Sequence, residues 1–385
     1  MLYREPFRAF LAIFIATLGF AGVAVAAGGE GMVSEDSVLE ELVFEVSSNK
    51  DLRKLQRVLD EKGATPLLVK IAAGEYRLKR SLHVNRSNVT IQGEAGARLK
   101  LAKKAQAPVI AVGSQSEYPL DAERIENVSI YDLEIDGNRE FQESEYNQER
   151  PWIRNNGIDA RTVTGLRVER VVCGNNRSGG LVISWRCRDV VAKDCVFKNN
   201  YFDGVAYYDS VGVFTVDCLL SENLGAGVSI DNAVSNALFA NCRIEGNRDV
   251  GVFARHSEGL MFYKSVVKDS GNWAFFLSHD ERQKGVFDVE IASCEIVGNH
   301  GGVRMGSVNT IQSAGNRVTL SVFSENGSLG RPDLSTAGAP LDRLEGGWNP
   351  EVEYAEEGAI PEGPFSKRLY QTLNSYDALV KSPES

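Results

Sequence analysis

The segments GLVISW (residues 180–185), GVAYYD (204–209), GVSIDN (227–232) and GVFARH (251–256) are one pattern written four times. Each opens on glycine, sets apolar side chains at the first and third places after it, and recurs at 22–24 residues. The series extends to Gly157 on one side and Gly302 on the other, so residues 157–327 form one repeating stretch. About sixteen residues after the glycine comes a second landmark: Cys173, Cys195, Cys218, Cys242, then Ser265, with Cys294 one irregular unit later. Five residues beyond that stands Asn200, Asn223, Asn247 or Asn299, with Ser178 and Ser270 as substitutes.

Units of this length cannot bury an apolar face alone and must stack on their neighbours. Within a unit the apolar places alternate, as in Leu181 and Ile183, Val205 and Tyr207, Val228 and Ile230. Period-two alternation with β-branched and aromatic residues specifies strands, and the long 3.6-period runs of a helical array are absent. Successive coils then pair in parallel, and parallel crossovers are right-handed. The expected fold is all-β, a right-handed parallel β-helix. Equivalent side chains lie roughly 4.8 Å apart up such a stack. An asparagine ladder can there hydrogen-bond its amides and occupy the left-handed backbone of a bend, while the glycines serve tight corners.

The 385 residues carry a formal charge of −10, which argues against nucleic acid or an anionic membrane as the main partner. Arg4 and Arg8, the apolar run 9–25 and the small-x-small site Ala24-Val25-Ala26 read as a secretory signal over residues 1–26. No later stretch is long and apolar enough to span a bilayer. The expected location is outside the cytoplasm, either periplasmic or extracellular. Five of the six cysteines fill the stacked inward slot, whose spacing is too wide for an unstrained disulfide, so buried free thiols are expected. Cys187, off that ladder between Arg186 and Arg188, is expected to be exposed.

Residues 27–66 are expected to hold an acidic, weakly patterned segment and a capping helix, with Asn49 as N-cap, Leu52, Leu55, Val58 and Leu59 on one face, and Gly63 as the stop. Such a helix covers the open end of a solenoid. The β-helix is then expected over 67–327. Residues 328–385 form a Gly-, Pro- and acid-rich extension with Trp348 as an anchor, then an amphipathic helix bearing Phe365, Leu369, Leu373 and Tyr376.

The order of helix, IAAGEYRL (71–78), SNVTIQGEAGARLKL (87–101), VSIYDLEIDGN (128–138) and the repeated glycine units resembles the secreted right-handed parallel β-helix proteins of the pectate-lyase-like superfamily. That superfamily includes polysaccharide lyases, uronan epimerases, glycoside hydrolases, phage tailspikes and periplasmic proteins that assist copper-enzyme maturation. The resemblance implies a polysaccharide as substrate or ligand. It does not choose the reaction. The Asn-Thr-Asp, Asp-Asp, Gly-His-Gly and Arg-Ile-Lys motifs of polygalacturonase-type hydrolases and the Asp-Pro-His-Asp motif of alginate epimerases are absent.

Candidate chemistry lies in two outward rows. Arg161, Ser184, Tyr208, Asp231, Arg255 and Ser278 take the fourth place of each strand, and Thr162, Trp185, Asp209, Asn232, His256 and His279 the fifth. Stacking concentrates them within about 10–15 Å. Abstraction of the proton α to a uronate carboxylate needs a base, for which Tyr208, His256 and His279 are candidates, and a neutraliser, Arg255 or Arg161. Asp231 either orients Arg255 or holds a divalent cation such as Ca2+ on the substrate. Hydrolysis would instead pair Asp209 with Asp231. His256 and His279 could share a copper or zinc ion, but no third ligand is evident. Residues 139–156 interrupt the repeat and must project as a loop, offering Tyr146, Arg150, Trp152 and Arg154, with Trp185 nearby, to a sugar chain. Residues 279–285 form a smaller irregularity. A solenoid that only binds a glycan or an assembly partner is the alternative to catalysis.

Overall fold

The computed structural model describes residues 41–279 and 285–305, and parts of 317–345 and 376–379. The chain divides into a unit of Met1–Val38, outside the described residues along with the expected signal, and a unit of Leu39–Ser385. In the second unit, three parallel sheets of thirteen, ten and ten strands run side by side along the chain. Most coils give one strand to each sheet, so that successive coils are hydrogen-bonded to one another.

The glycine-led strands Leu181–Ser184, Val205–Tyr208, Val228–Asp231 and Val252–Ala254 form the centre of the second sheet. Their pairing is in register, Tyr207 opposite Ile230 and Ile230 opposite Ala254. Long strands such as Val163–Glu169, Cys187–Lys193 and Ser210–Val216 build the first sheet, and three-residue strands such as Val172–Gly174 build the third. The apolar places point inward as the alternation requires. Phe239 stacks on Phe262 at 4.8 Å, and Phe275 meets Phe262 edge-on at 5.0 Å, so the core is a column of like on like.

The polar ladder is buried and directional. Asn176 donates through Nδ2 to Asn200 Oδ1 at 2.7 Å, Asn200 to Asn223 at 2.8 Å, Asn223 to Asn247 at 2.9 Å, and Asn299 to Asn326 at 2.9 Å. Asn176, not Ser178, fills the slot of its coil. The left-handed residue is the one before each rung, such as Asn199 (φ 56°) or Glu222 (φ 55°), rather than the rung itself. The opening glycines also serve a different purpose from the corners expected of them. A Cβ on Gly180 would stand 2.4 Å from the Gly204 carbonyl oxygen, so their requirement is close packing between coils. Asn138 stands outside this ladder and donates to the Leu101 carbonyl at 3.0 Å.

All six cysteines are free and buried. Cys187 is a correction: it opens a first-sheet strand with its thiol inward against the Ser184 carbonyl at 3.2 Å. Burial pushes the Cys173, Cys187, Cys242 and Cys294 thiols up to about 12. A disulfide-forming reagent should therefore react with essentially no thiol of the native protein, and with all six after denaturation. A fast-reacting native thiol would contradict this burial.

At the N-terminal end the helix Asn49–Asp60 lays Leu52, Leu55 and Leu59 on the core. Ser48, one residue earlier than expected, is its N-cap and accepts from the Asp51 N–H at 3.3 Å. A strand, Leu42–Val46, precedes the helix and pairs with Leu67–Ile71, extending the sheet into a segment that reads as unpatterned. Beyond Gly327 two short strands, Leu334–Ser335 and Arg343–Glu345, continue the second and first sheets. Tyr376 and Leu379 lie on an outer apolar stripe of the first sheet that includes Phe214, Leu238 and Met261. Trp348, Phe365, Leu369 and Leu373 lie outside the described residues. No helix among the described residues is long and apolar enough to cross a membrane.

Candidate functional site

The second sheet turns its second- and fourth-place side chains outward, and each strand ends in a left-handed corner at Thr162, Trp185, Asp209, Asn232 or His256. Fourth-place side chains therefore stand at the rim of that corner. Tyr208 lies in register with Asp231 and Ala206 with Ser229. Asp231 accepts from Arg255 Nε at 3.0 Å and again from Nη2, and from the Asn232 N–H at 2.7 Å. The carboxylate is mostly buried, while the Arg255 side chain is 41% exposed. Asp231 thus holds the Arg255 guanidinium by two of its nitrogens.

Tyr208 is a poor base. Burial, together with the neighbouring Asp203 carboxyl, pushes its phenol well above the ordinary range, so it stays protonated and can donate. Asp203 itself is the residue that sequence reasoning missed. Burial raises its carboxyl from 3.8 to about 6, the Ala226 N–H at 2.8 Å opposes the rise, and Asp249 adds to it. Its slot, immediately before the opening glycine, holds Asn156, Gly179, Ala226 and Val250 in other coils. An acid at that place was the available signal.

The expected neutraliser Arg161 is buried, donating to Asp159 Oδ1 at 2.9 Å and to the Trp152 carbonyl. It pins the inserted loop to the coil and does not present its charge to a ligand. The loop folds back on the solenoid: Gln142 donates to the Ala102 carbonyl, Asn147 to that of Gln106 and Trp152 to that of Gln115. Arg150 lines a separate cavity of about 360 Å³ with Gln56 and Arg80. Arg154 is the loop residue that faces the Tyr208 phenol electrostatically, and its guanidinium sits 5.6 Å over the Tyr146 ring. Trp185 lies at its corner, edge-on to Tyr118 at 6.3 Å.

Asp209 is raised by burial and has Arg186 and Asp121 as its charged neighbours, so it and Asp231 face different partners. His256 and His279 are half-buried, His256 at a corner (φ 44°). Among the described residues no three His, Cys, Asp or Glu side chains come together to hold a metal.

Four arginines share one geometry on this face and its adjoining loops. Arg154 lies over Tyr146, Arg177 over Tyr201 at 4.0 Å, Arg255 over Phe253 at 5.8 Å, and Arg304 over Phe276 at 5.0 Å and Trp273 at 5.8 Å. A guanidinium over a ring sets a positive charge beside an aromatic surface that a sugar can stack on.

The family described as right handed beta helix region matches residues 80–233 and 182–328. No curated protein matches the chain. Among solved structures, ORF18 of Geobacillus virus E2 is similar at a TM-score of 0.62 and 14% identity, over 76% of this chain and 59% of that one. This chain therefore spans less than two thirds of the viral protein. A polygalacturonase of Erwinia carotovora is similar at 0.51 and 11% identity, over 82% and 97%. The A-module of a mannuronan C-5 epimerase of Azotobacter vinelandii is similar at 0.42 and 14%, over 78% and 94%. At such identities the likeness is one of fold.

Proposed function

The chain belongs to the right-handed β-helix region family, and from that premise we propose that it acts on a polyuronate laid along the outward face of the second sheet. The observation that carries this reading is the set of four arginine-on-aromatic pairs, which suits a polymer alternating carboxylates with sugar rings. Arg255, oriented by Asp231, pairs with the uronate carboxylate and stabilises the charge that develops there. Asp203, ionised above pH 6, takes the proton from the carbon α to that carboxylate. Neutral Tyr208 then serves one of two outcomes. In elimination it protonates the glycosidic oxygen as the C–O bond breaks and a C=C bond forms, leaving phenolate that is reprotonated from solvent. In epimerisation the carbanion is reprotonated on the opposite face. The expected export of the chain suits an extracellular or envelope polymer.

A second reading has one observation in its favour. A carboxyl near 6 is also what a glycosidase acid needs, with Asp231 as the second carboxylate. The two readings differ in the sign of a pH limb. Proton abstraction needs ionised Asp203 and rises as pH passes upward through about 6, whereas acid catalysis falls over the same interval.

The test is incubation of the protein with polygalacturonate, alginate and matched neutral polymers, with and without Ca2+, from pH 5 to 8. New ultraviolet absorbance together with reducing ends, increasing with pH, is the expected result. Inversion at C5 seen by proton NMR, without chain cleavage, gives the epimerase form. Reducing ends without absorbance, falling above pH 6, would replace the proposal with hydrolysis. No product from any polymer, with binding retained, would leave a glycan-binding face.

A further inference from the structure

At the N-terminal end, where the helix runs out at Glu61 and the chain enters its first coils, lies a pocket of about 720 Å³. It is separate from the arginine-bearing face and uses none of its residues. Its walls are the turn 62–64, the corner 83–88 and the loop 114–125, and its size falls within the range of roughly 300–1,000 Å³ usual for small-molecule sites. The lining is half polar, with Asn85, Ser87, Asn88, Gln115 and Ser116 around Arg86.

Arg86 is only 5% exposed. Its Nη2 donates to the carbonyls of Thr65 at 2.6 Å and Gly63 at 3.4 Å, and its Nε has no hydrogen-bond partner among the described residues. None of the ion pairs among those residues includes it. The other charges at the pocket are accounted for. Glu123 accepts from Ser114, from Ser116 at 3.1 Å and from the Leu120 N–H at 3.2 Å, which hold its carboxyl low. Arg124 is tied to Asp121 at 2.8 Å and to Thr164 at 3.1 Å. Lys62 is exposed at the mouth. A buried guanidinium with neutral acceptors on one side and no carboxylate is an electrostatic vacancy for an anion.

We infer that this pocket is a second binding site, for the carboxylate of an acidic sugar, with Arg86 as the carboxylate receptor and the surrounding amides and hydroxyls as partners for the sugar hydroxyls. With Nη2 tethered to the two carbonyls, the Nε–H is left to donate one charge-assisted hydrogen bond to a carboxylate oxygen. Amide- and hydroxyl-rich walls favour a polyol over an apolar acid. On this inference the solenoid holds an acidic glycan at two places, one at its face and one at its N-terminal end.

The experiment is calorimetric titration at pH 7 and about 50 mM salt with digalacturonate, with the neutral disaccharide galactobiose, and with sodium acetate. It is run on the unaltered protein and in an Arg255→Ala background, so that the face and the pocket are read separately. Digalacturonate should bind in both, with galactobiose and acetate each at least tenfold weaker. Arg86→Gln should cost tenfold or more. Ala122→Trp, which fills the mouth from an exposed position while leaving Arg86 and its tethers in place, should do the same even if Arg86→Gln fails to fold. Binding lost in Arg255→Ala alone, equal affinity for galactobiose or acetate, no binding of digalacturonate, or a change under twofold in Ala122→Trp would each overturn the inference.

Discussion

Replacing Asp203 with asparagine is expected to lower turnover of a polyuronate by about 10²- to 10⁴-fold and, at the same time, to stabilise the protein above pH 6. The two effects have one cause. In the folded protein the carboxyl titrates near 6, against an ordinary value of 3.8, so the folded state holds this proton more tightly than the unfolded state does. Stability from this group is fully present below about pH 4 and is lost as pH rises through 6, by up to about 3 kcal/mol. Asparagine has no charge to bury, and its Oδ1 can still accept from the Ala226 N–H. Urea denaturation should show the variant more stable by about 1–3 kcal/mol at pH 8 and nearly unchanged at pH 4. A loss of activity with no gain in alkaline stability would mean that Asp203 is not the half-buried, raised acid described here. A gain in stability with full activity would remove it from the chemistry.

The second large effect is structural. Asn223→Ala should destabilise the protein by about 3–5 kcal/mol, because two buried donors lose their acceptor together. The Asn223 Oδ1 accepts from the Asn200 N–H at 3.1 Å and from its Nδ2 at 2.8 Å, and the Asn223 Nδ2 also reaches the Phe197 carbonyl at 3.3 Å. The side chain is completely buried, so water cannot replace these partners. The control is Asn199→Ala, one residue before the Asn200 rung, which removes only a side chain suited to the left-handed corner and should cost about 1 kcal/mol. Equal losses in the two variants would show that the ladder contributes no more than its corners.

The fold was legible because stacking makes it redundant. Any one strand of the second sheet is four residues of ambiguous pattern, but Val205, Val228 and Val252 repeat it in register. Where the repeat stretches or shrinks, the reading slips. The coil after Cys173 reaches its next glycine two residues sooner than the coils after Cys195 or Cys218, so counting five places forward lands on Ser178 instead of Asn176. The strand Leu42–Val46 was hidden because it is the outermost of its sheet, with Leu42 and Val43 exposed and therefore without an alternating burden to display. The candidate site was half legible. The row holding Tyr208, Asp231 and Arg255 follows from periodicity, since those residues share a face. That Arg161 would be buried under the inserted loop depends on how the loop folds back, which no spacing encodes. The raised carboxyl of Asp203 depends on enclosure and on Asp249, more than forty residues away in sequence.

The amide-to-amide bonds of the ladder have a sense, since Asn176, Asn200 and Asn223 each donate to the asparagine of the coil that follows in the chain. A polypeptide emerging from a ribosome or a translocation channel N-terminus first therefore always carries, at its newest coil, a buried-to-be amide whose acceptor has not yet been made. The growing rod ends in an unsaturated rung that the next coil saturates, much as a zipper closes in one direction only. A nascent chain halted between Asn200 and Asn223 would present an open rung competent to accept the correct continuation or, in its absence, an amide acceptor from another molecule.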